Sequence, residues 1–208
     1  MNTRLRSTVL ALALAATAAP ILQGCFPLVA TGVGAGAMMA ADRRTSGAYV
    51  EDEGIEWKAE AAIKQKLGDL VHVNVTSYNR HVLLTGEVPN EGVKAQLPGI
   101  LAGVPNIAGI TNDAQVAGHS SLTSRSNDTL ITSKIKALMI DSADVQANLI
   151  KVVTEAGTVY LLGLVTREEA EAATQVARTT SGVKKVVRVF DYIDAAEARR
   201  LDILKRDS

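Results

Sequence analysis

Val73–Val88 reads VNVTSYNRHVLLTGEV, and Ile150–Val165 reads IKVVTEAGTVYLLGLV. The two stretches are sixteen residues long and offset by 77 positions. In each, apolar residues alternate on both sides of a short polar turn, Tyr78-Asn79-Arg80 in the first and Glu155-Ala156-Gly157 in the second. Each closes on Gly-x-Val, with Gly86 matching Gly163 and Val88 matching Val165. Period-two alternation about a turn is the pattern of a β-hairpin. A duplicated hairpin sets the period of the whole chain.

Working outward, a helical pattern precedes each hairpin. Trp57, Ala61, Ala62, Ile63 and Leu67 mark an amphipathic stretch from Glu56 to Gly68, and Ile131, Ile135, Leu138 and Met139 mark the second. Asn127 or Asp128 suits the N-cap of that second helix. Helical patterns also follow the hairpins, over 166–180 and over 90–102; Pro98 predicts a kink or a split in the latter. Gly103-Val104 and Gly182-Val183 then close the two units before last strands over 107–116 and 186–193. The fold class is α+β, two tandem α-β-β-α-β domains over 55–117 and 127–193. Units of roughly 65 residues bury too little surface for a generous core, so the two are expected to pack on each other. Residues 118–126, GHSSLTSRS, form a short polar linker, and 194–208 a charged tail with the pattern of a short helix and no assigned role.

Composition excludes several function classes. The chain has 208 residues with 22 basic and 22 acidic side chains, so it has no overall charge to attract nucleic acid, and none is expected as a partner. The first domain holds five basic and six acidic residues and the second eight of each, so neither is polybasic. Aromatics are 3%, too few for a base-stacking platform. One cysteine allows neither an intramolecular disulfide nor a Cys-based zinc site, and His72, His81 and His119 lack ligand spacing. No metal or cofactor is expected.

The sequence also lacks a nucleophile–base–orienter set. His72 and His81 flank the first hairpin and could face each other, but strand-surface histidines account for them. Glu168, Glu169 and Glu171 sit where a helix start favours negative charge. The glycines at 32, 34 and 36 are not followed by the Lys-Ser/Thr of a phosphate loop. No catalytic residue is assigned.

Residues 1–24 read as a signal peptide: Arg4 and Arg6 precede the apolar run VLALALAATAA at 9–19, which is too short to span a bilayer. Leu22-Gln23-Gly24-Cys25 resembles a bacterial lipobox. That resemblance implies cleavage before Cys25, diacylation of its thiol and acylation of the new N-terminus. Phe26 rather than Asp after the cysteine implies sorting to the outer membrane, facing the periplasm. The mature chain would have 184 residues and two net negative charges. Residues 25–54 read as a lipidated tether, because Gly32, Gly34 and Gly36 weaken the alternative of a second membrane helix over 28–41.

The α-β-β-α-β order, the hairpin strands VLLTGEV and VYLLGLV and the closing Gly-Val resemble the BON domain. Two such units behind a lipobox, with Asp42-Arg43-Arg44-Thr45 and Ser126-Asn127-Asp128-Thr129, resemble the dual-BON outer-membrane lipoproteins. The resemblance covers residues 22–193. It implies a non-enzymatic role in envelope integrity, association with the division site, and anionic phospholipid as the ligand of the second domain.

One face of the second domain's first helix fits that expectation. Leu130, Ser133, Lys134, Lys136, Ala137 and Ile140 fall outside its core stripe. Aliphatic side chains that dip into a membrane and lysines that meet headgroups make an interfacial helix. The other reading is that Leu130 and Ile140 pack on the first domain or under the linker. Lys184, Lys185 and Arg188 form a second, smaller basic cluster. The competing function is a scaffold for an envelope protein with incidental lipid contact. A contact with cell-wall polymer is a third, for which the sequence offers no sugar-stacking site.

Overall fold

Both hairpins form at the quoted stretches. In the computed structural model, which describes residues 42–118 and 120–206, β1 (His72–Tyr78) pairs antiparallel with β2 (His81–Val88), and β5 (Lys151–Glu155) with β6 (Thr158–Val165). The signal peptide, Cys25, the apolar stretch to Ala41 and His119 lie outside the described residues.

Each hairpin is preceded by a helix and followed by a helix and a strand parallel to the hairpin's second strand. The first unit is α1 (Ser46–Leu67), β1, β2, α2 (Glu91–Leu101), β3 (Gly109–Asn112) and β4 (Gln115–Val116). The second is α3 (Leu122–Asp141), β5, β6, α4 (Arg167–Thr179) and β7 (Lys185–Tyr192). A last helix, α5 (Ala195–Arg206), forms in the tail. β2 and β6 are the central strands of their sheets.

Central position explains the burial of β2, where Val82 to Val88 are all buried. Val82, Leu84 and Val88 meet Ile55, Ala59 and Ile63 of α1 and Leu97 and Leu101 of α2. Leu83 points the other way, into a cluster with Tyr78 and with Tyr160 and Leu162 of β6. The opposite face of β6 sends Val159, Leu161 and Val165 to Ile131, Ile135 and Met139 of α3 and to the alanines of α4. The result is four layers, helices outside and two sheets packed face to face. Each small domain supplies half of the other's second core.

The sequence expectations need several corrections. α1 begins at Ser46, capped by the Thr45 hydroxyl, inside the stretch read as tether. α3 begins at Leu122, capped by Ser121 and not by Asn127 or Asp128, which shortens the linker. Trp57 is 72% exposed, because the buried stripe of α1 is Asp52, Ile55, Ala59 and Ile63. Leu138 is 45% exposed, because Ile131, Ile135 and Met139 alone meet the sheet.

Pro98 neither splits nor ends α2. Proline has no N–H for the carbonyl four residues back. That carbonyl, of Lys94, instead accepts a 2.8 Å bond from the side-chain amide of Asn112 on β3. The predicted last strand of the first domain is interrupted at Asp113-Ala114, where Ala114 is buried. The ladder register matches Gly109 with Lys185 through their partners His81 and Thr158. Gly182-Val183 therefore corresponds to Asn106-Ile107 rather than to Gly103-Val104, and Asn106 and Gly182 both have positive φ. His72 and His81 lie at opposite ends of the hairpin and do not face each other. The ring of His72 is 3.0 Å from Glu87, and that of His81 is 2.8 Å from Thr111.

The paired glycines have a packing reason. A Cβ on Gly86 (φ +100°) would lie 2.1 Å from the His72 carbonyl oxygen, and one on Gly163 would lie 2.6 Å from that of Leu149.

Candidate functional site

The two-residue hairpin turns place Asn79, Arg80, Ala156 and Gly157 all at positive φ. Such turns match strand twist but cost non-glycine residues energy. A buried aspartate on the preceding helix offsets this in each domain. Asp52 accepts the N–H groups of Asn79 and Arg80 at 2.8 and 2.7 Å, and Asp128 accepts those of Ala156 and Gly157 at 2.9 and 2.8 Å. α3 is thereby fixed within its first half by Asp128 and farther along by Ile131, Ile135 and Met139.

That anchoring leaves the remaining face of α3 in solvent. Leu130 is 59% and Ile140 72% exposed, and Ser133, Lys134, Lys136 and Ala137 are exposed as well. Neither Leu130 nor Ile140 packs against the first domain. Leu138 joins this face. The Ser133 hydroxyl bonds back to the Thr129 carbonyl at 2.9 Å, which satisfies it within the helix. Among the described residues no carboxylate forms an ion pair with Lys134 or Lys136. The face combines three large aliphatics with two cations on a rigid support.

A second feature was hidden within the stretch read as tether. Asp42, Arg43 and Arg44 are buried. Arg44 enters the first domain. It bonds Asp42 at 2.6 and 2.9 Å and Asp52 at 2.7 Å, and its guanidinium lies 3.8 Å from the centre of the Tyr78 ring. Arg43 enters the second domain. It forms paired bonds with Glu169 at 2.7 and 2.8 Å and with Asp202 of α5 at 2.8 and 3.0 Å, and reaches the Leu164 carbonyl at 3.1 Å. Two adjacent arginines thus strap both domains and the tail helix together.

Electrostatics around the strap follow from burial and pairing. Burial, then the nearby Asp42, pushes the Tyr78 hydroxyl well above the ordinary tyrosine range. Burial opposes ionisation of Glu169, but the Arg43 bonds and the Thr166 N–H win and lower its pKa. Glu169 also closes a capping box with Thr166 at the start of α4. The signal for this network was the run Asp-Arg-Arg-Thr itself, a charged triplet ending on a helix cap.

Further bonds cross between the domains. Asn79 donates to Asp191 at 2.9 Å, the Tyr160 hydroxyl to Asp113 at 2.9 Å, and Asn74 to Glu155 at 2.8 Å. Lys151 reaches Glu56 at 2.9 Å and the Ser77 carbonyl at 3.2 Å. Among the described residues there is no cluster of three or more His, Cys, Asp or Glu side chains able to hold a metal ion, and no helix is long and apolar enough to cross a membrane.

Comparison with known proteins agrees with the duplicated architecture. The BON domain family matches residues 57–118 and again 127–194. The chain is 39% identical over 175 residues to the outer membrane lipoprotein DolP of Haemophilus influenzae, covering 83% of this chain and 91% of that one. It is 32% identical to the 21 kDa hemolysin of Actinobacillus pleuropneumoniae, covering 73% and 79%. It is 26% identical to the osmotically-inducible protein Y of Escherichia coli, covering 75% and 80%. The chain therefore belongs to the BON-domain family, with two copies of the domain.

Proposed function

We propose that this chain is an outer-membrane lipoprotein, held by acyl chains on Cys25 and facing the periplasm, whose second BON domain contacts anionic phospholipid through α3. It supports envelope integrity and concentrates where anionic lipid is enriched, including division sites. The relative named an outer membrane lipoprotein supports the location. The observation that carries the lipid contact is the outward face of Leu130, Lys134, Lys136, Leu138 and Ile140 on a helix anchored from beneath. Aliphatic burial and headgroup attraction add, each lysine contributing about 1 kcal/mol near an anionic surface. A lipid anchor raises the local concentration enough for such a contact to count.

The test is co-sedimentation of residues 26–208, without acyl groups, with anionic or zwitterionic vesicles. Binding that requires anionic lipid, falls with salt and is lost in Leu130→Glu is the expected result. Unchanged binding in Leu130→Glu would remove α3 as the site. The second reading, a scaffold for an envelope protein, draws on the exposed Trp57 of α1, beside Glu60, Ala61 and Lys64. Capture of the protein in membrane extracts by a defined partner, lost in Trp57→Ala and kept in Leu130→Glu, would favour it.

A further inference from the structure

Between α4 and the edge strand β7 lies an open groove of about 330 Å³ lined by Thr174, Arg178, Val183, Lys184, Lys185 and Arg188. Four of these side chains are cationic. We propose that this groove binds a phosphate ester, as a soluble anion or as a lipid headgroup, at a site separate from the outward face of α3.

The first argument is the internal repeat. Register in the two sheets pairs Lys185 with Gly109 and Arg188 with Asn112. The backbone bonds Lys184 N–H to Gly157 O and Ala108 N–H to Arg80 O make Lys184 equivalent to Ala108. The helix caps Thr166 and Asn90 carry the same alignment to Arg178 and Ala102. Every cation of the groove therefore stands where the first domain has an uncharged residue.

Local structure accounts for only part of the cluster. Lys184 donates to the Ala156 carbonyl at 3.0 Å, and Arg188 pairs with Glu171 at 2.8 Å on the surface. Lys185 is 3.8 Å from Asp113 of the first domain. Arg178, in the last turn of α4, suits the helix dipole, but among the described residues it has no carboxylate partner. On the α4 side of β7, Arg178, Lys184 and Arg188 stand against the carboxylate of Glu171, whereas Lys185 lies on the opposite face toward Asp113, so the α4 side carries an excess of positive charge. Two guanidinium forks with one point-charge ammonium fit a group with several oxygens and more than one charge. That description matches a phosphate ester better than a carboxylate.

The test uses the mature chain, residues 25–208 with Cys25→Ser, labelled with ¹⁵N. It is titrated with glycerol 3-phosphate and, separately, with vesicles of phosphatidylcholine with or without phosphatidylglycerol. The double variant Arg178→Glu/Arg188→Glu reverses two exposed charges, and Lys58→Glu on α1 is the control for a charge reversed elsewhere on the surface. The expected result is a shift of the amides over 183–188 by glycerol 3-phosphate that vanishes in the double variant and survives in Lys58→Glu. A concurrent fall of about tenfold in affinity for phosphatidylglycerol vesicles would identify the headgroup as the source. Vesicle affinity unchanged in the double variant would identify a free phosphate ester. Neither ligand sensing the double variant, or an equal loss in Lys58→Glu, would overturn the proposal. Leu130→Glu separates the two sites: it should abolish vesicle binding through α3 and leave the glycerol 3-phosphate shift intact.

Discussion

Asp52, Ile55, Ala59 and Ile63 on the inner face of α1 correspond to Asp128, Ile131, Ile135 and Met139 on α3. On the outer face, Gly54, Trp57, Lys58, Glu60, Ala61 and Lys64 stand where α3 has Leu130, Ser133, Lys134, Lys136, Ala137 and Ile140. The inner set keeps one aspartate and three apolar residues, because both helices must hold a strained turn and cover a sheet. The outer set shares only one lysine and one alanine. Partial desolvation of the Glu60 carboxyl, with Glu56 nearby, raises its pKa, where α3 carries the exposed Lys136. Duplication has kept the skeleton and freed the surface, so the differences between copies are where function is to be sought.

The largest expected effect tests the shared inner set. Asp52 accepts four bonds, from Ser77, Asn79, Arg80 and Arg44, whereas Asp128 accepts two. Removing one partner of a buried ion pair that also holds a turn costs about 3–5 kcal/mol. Losing two buried backbone bonds to a carboxylate costs about 2–3 kcal/mol. Urea unfolding should therefore rank Asp52→Ala below Asp128→Ala, and equal losses would contradict this count.

Arg43 ties the second domain to the tail helix, so its loss should break the symmetry in a different way. Arg43→Met leaves Glu169 and Asp202 facing each other at the α4–α5 junction and should cost about 2–3 kcal/mol. The same contact has a pH signature. Glu169 titrates below its ordinary 4.5 when folded, so its contribution is full above that value and is lost as pH falls through the lower folded one. Stability measured from pH 6 down to 3 should fall less steeply in Glu169→Gln than in the parent. An identical slope would mean that the strap is not acid-sensitive.

A smaller effect concerns α2, where the first domain solves a problem the second never meets. Asn112→Ala should cost about 1–2 kcal/mol by leaving the Lys94 carbonyl without its donor. In a Pro98→Ala background the helix can supply that donor, and the same substitution should cost less. A double-mutant cycle with zero coupling would show that Asn112 does not compensate for the proline.

The smallest effects lie on the outer faces. Leu130→Glu and Trp57→Ala should each change stability by no more than about 0.5 kcal/mol, since neither side chain is buried. Trp57 is the only tryptophan in the chain and sits on the first domain, so its emission should stay unshifted when vesicles bind through α3. A blue shift on binding would place the first domain in the membrane as well.

Much of this was legible in the linear sequence, and the misses have specific causes. Alternation and a constant offset revealed both hairpins, the paired glycines and the α-β-β-α-β order. The exposed face of α3 followed from a 100° step per residue. Hydrophobicity alone puts Trp57 and Leu138 on the inner faces, and only packing separates a core side chain from an exposed one. The sequence offers Asn127 or Asp128 as a cap and does not show the turn-holding role of Asp128, because its partners lie 28 and 29 positions away. The Asp42–Thr45 strap was read as tether for the same reason, since its contacts run as far as Asp202.

What the sequence alone determined is the local and the periodic: strand alternation, helix stripes and the repeat. These depend on neighbours within a few residues or on a fixed period. The tertiary structure decided which side of each sheet meets the other domain and how Arg43 and Arg44 divide between the domains. It also decided why a proline sits unharmed in α2 and which cations line a groove. Each of those depends on contacts between segments far apart in the chain, and spacing in one dimension does not specify them.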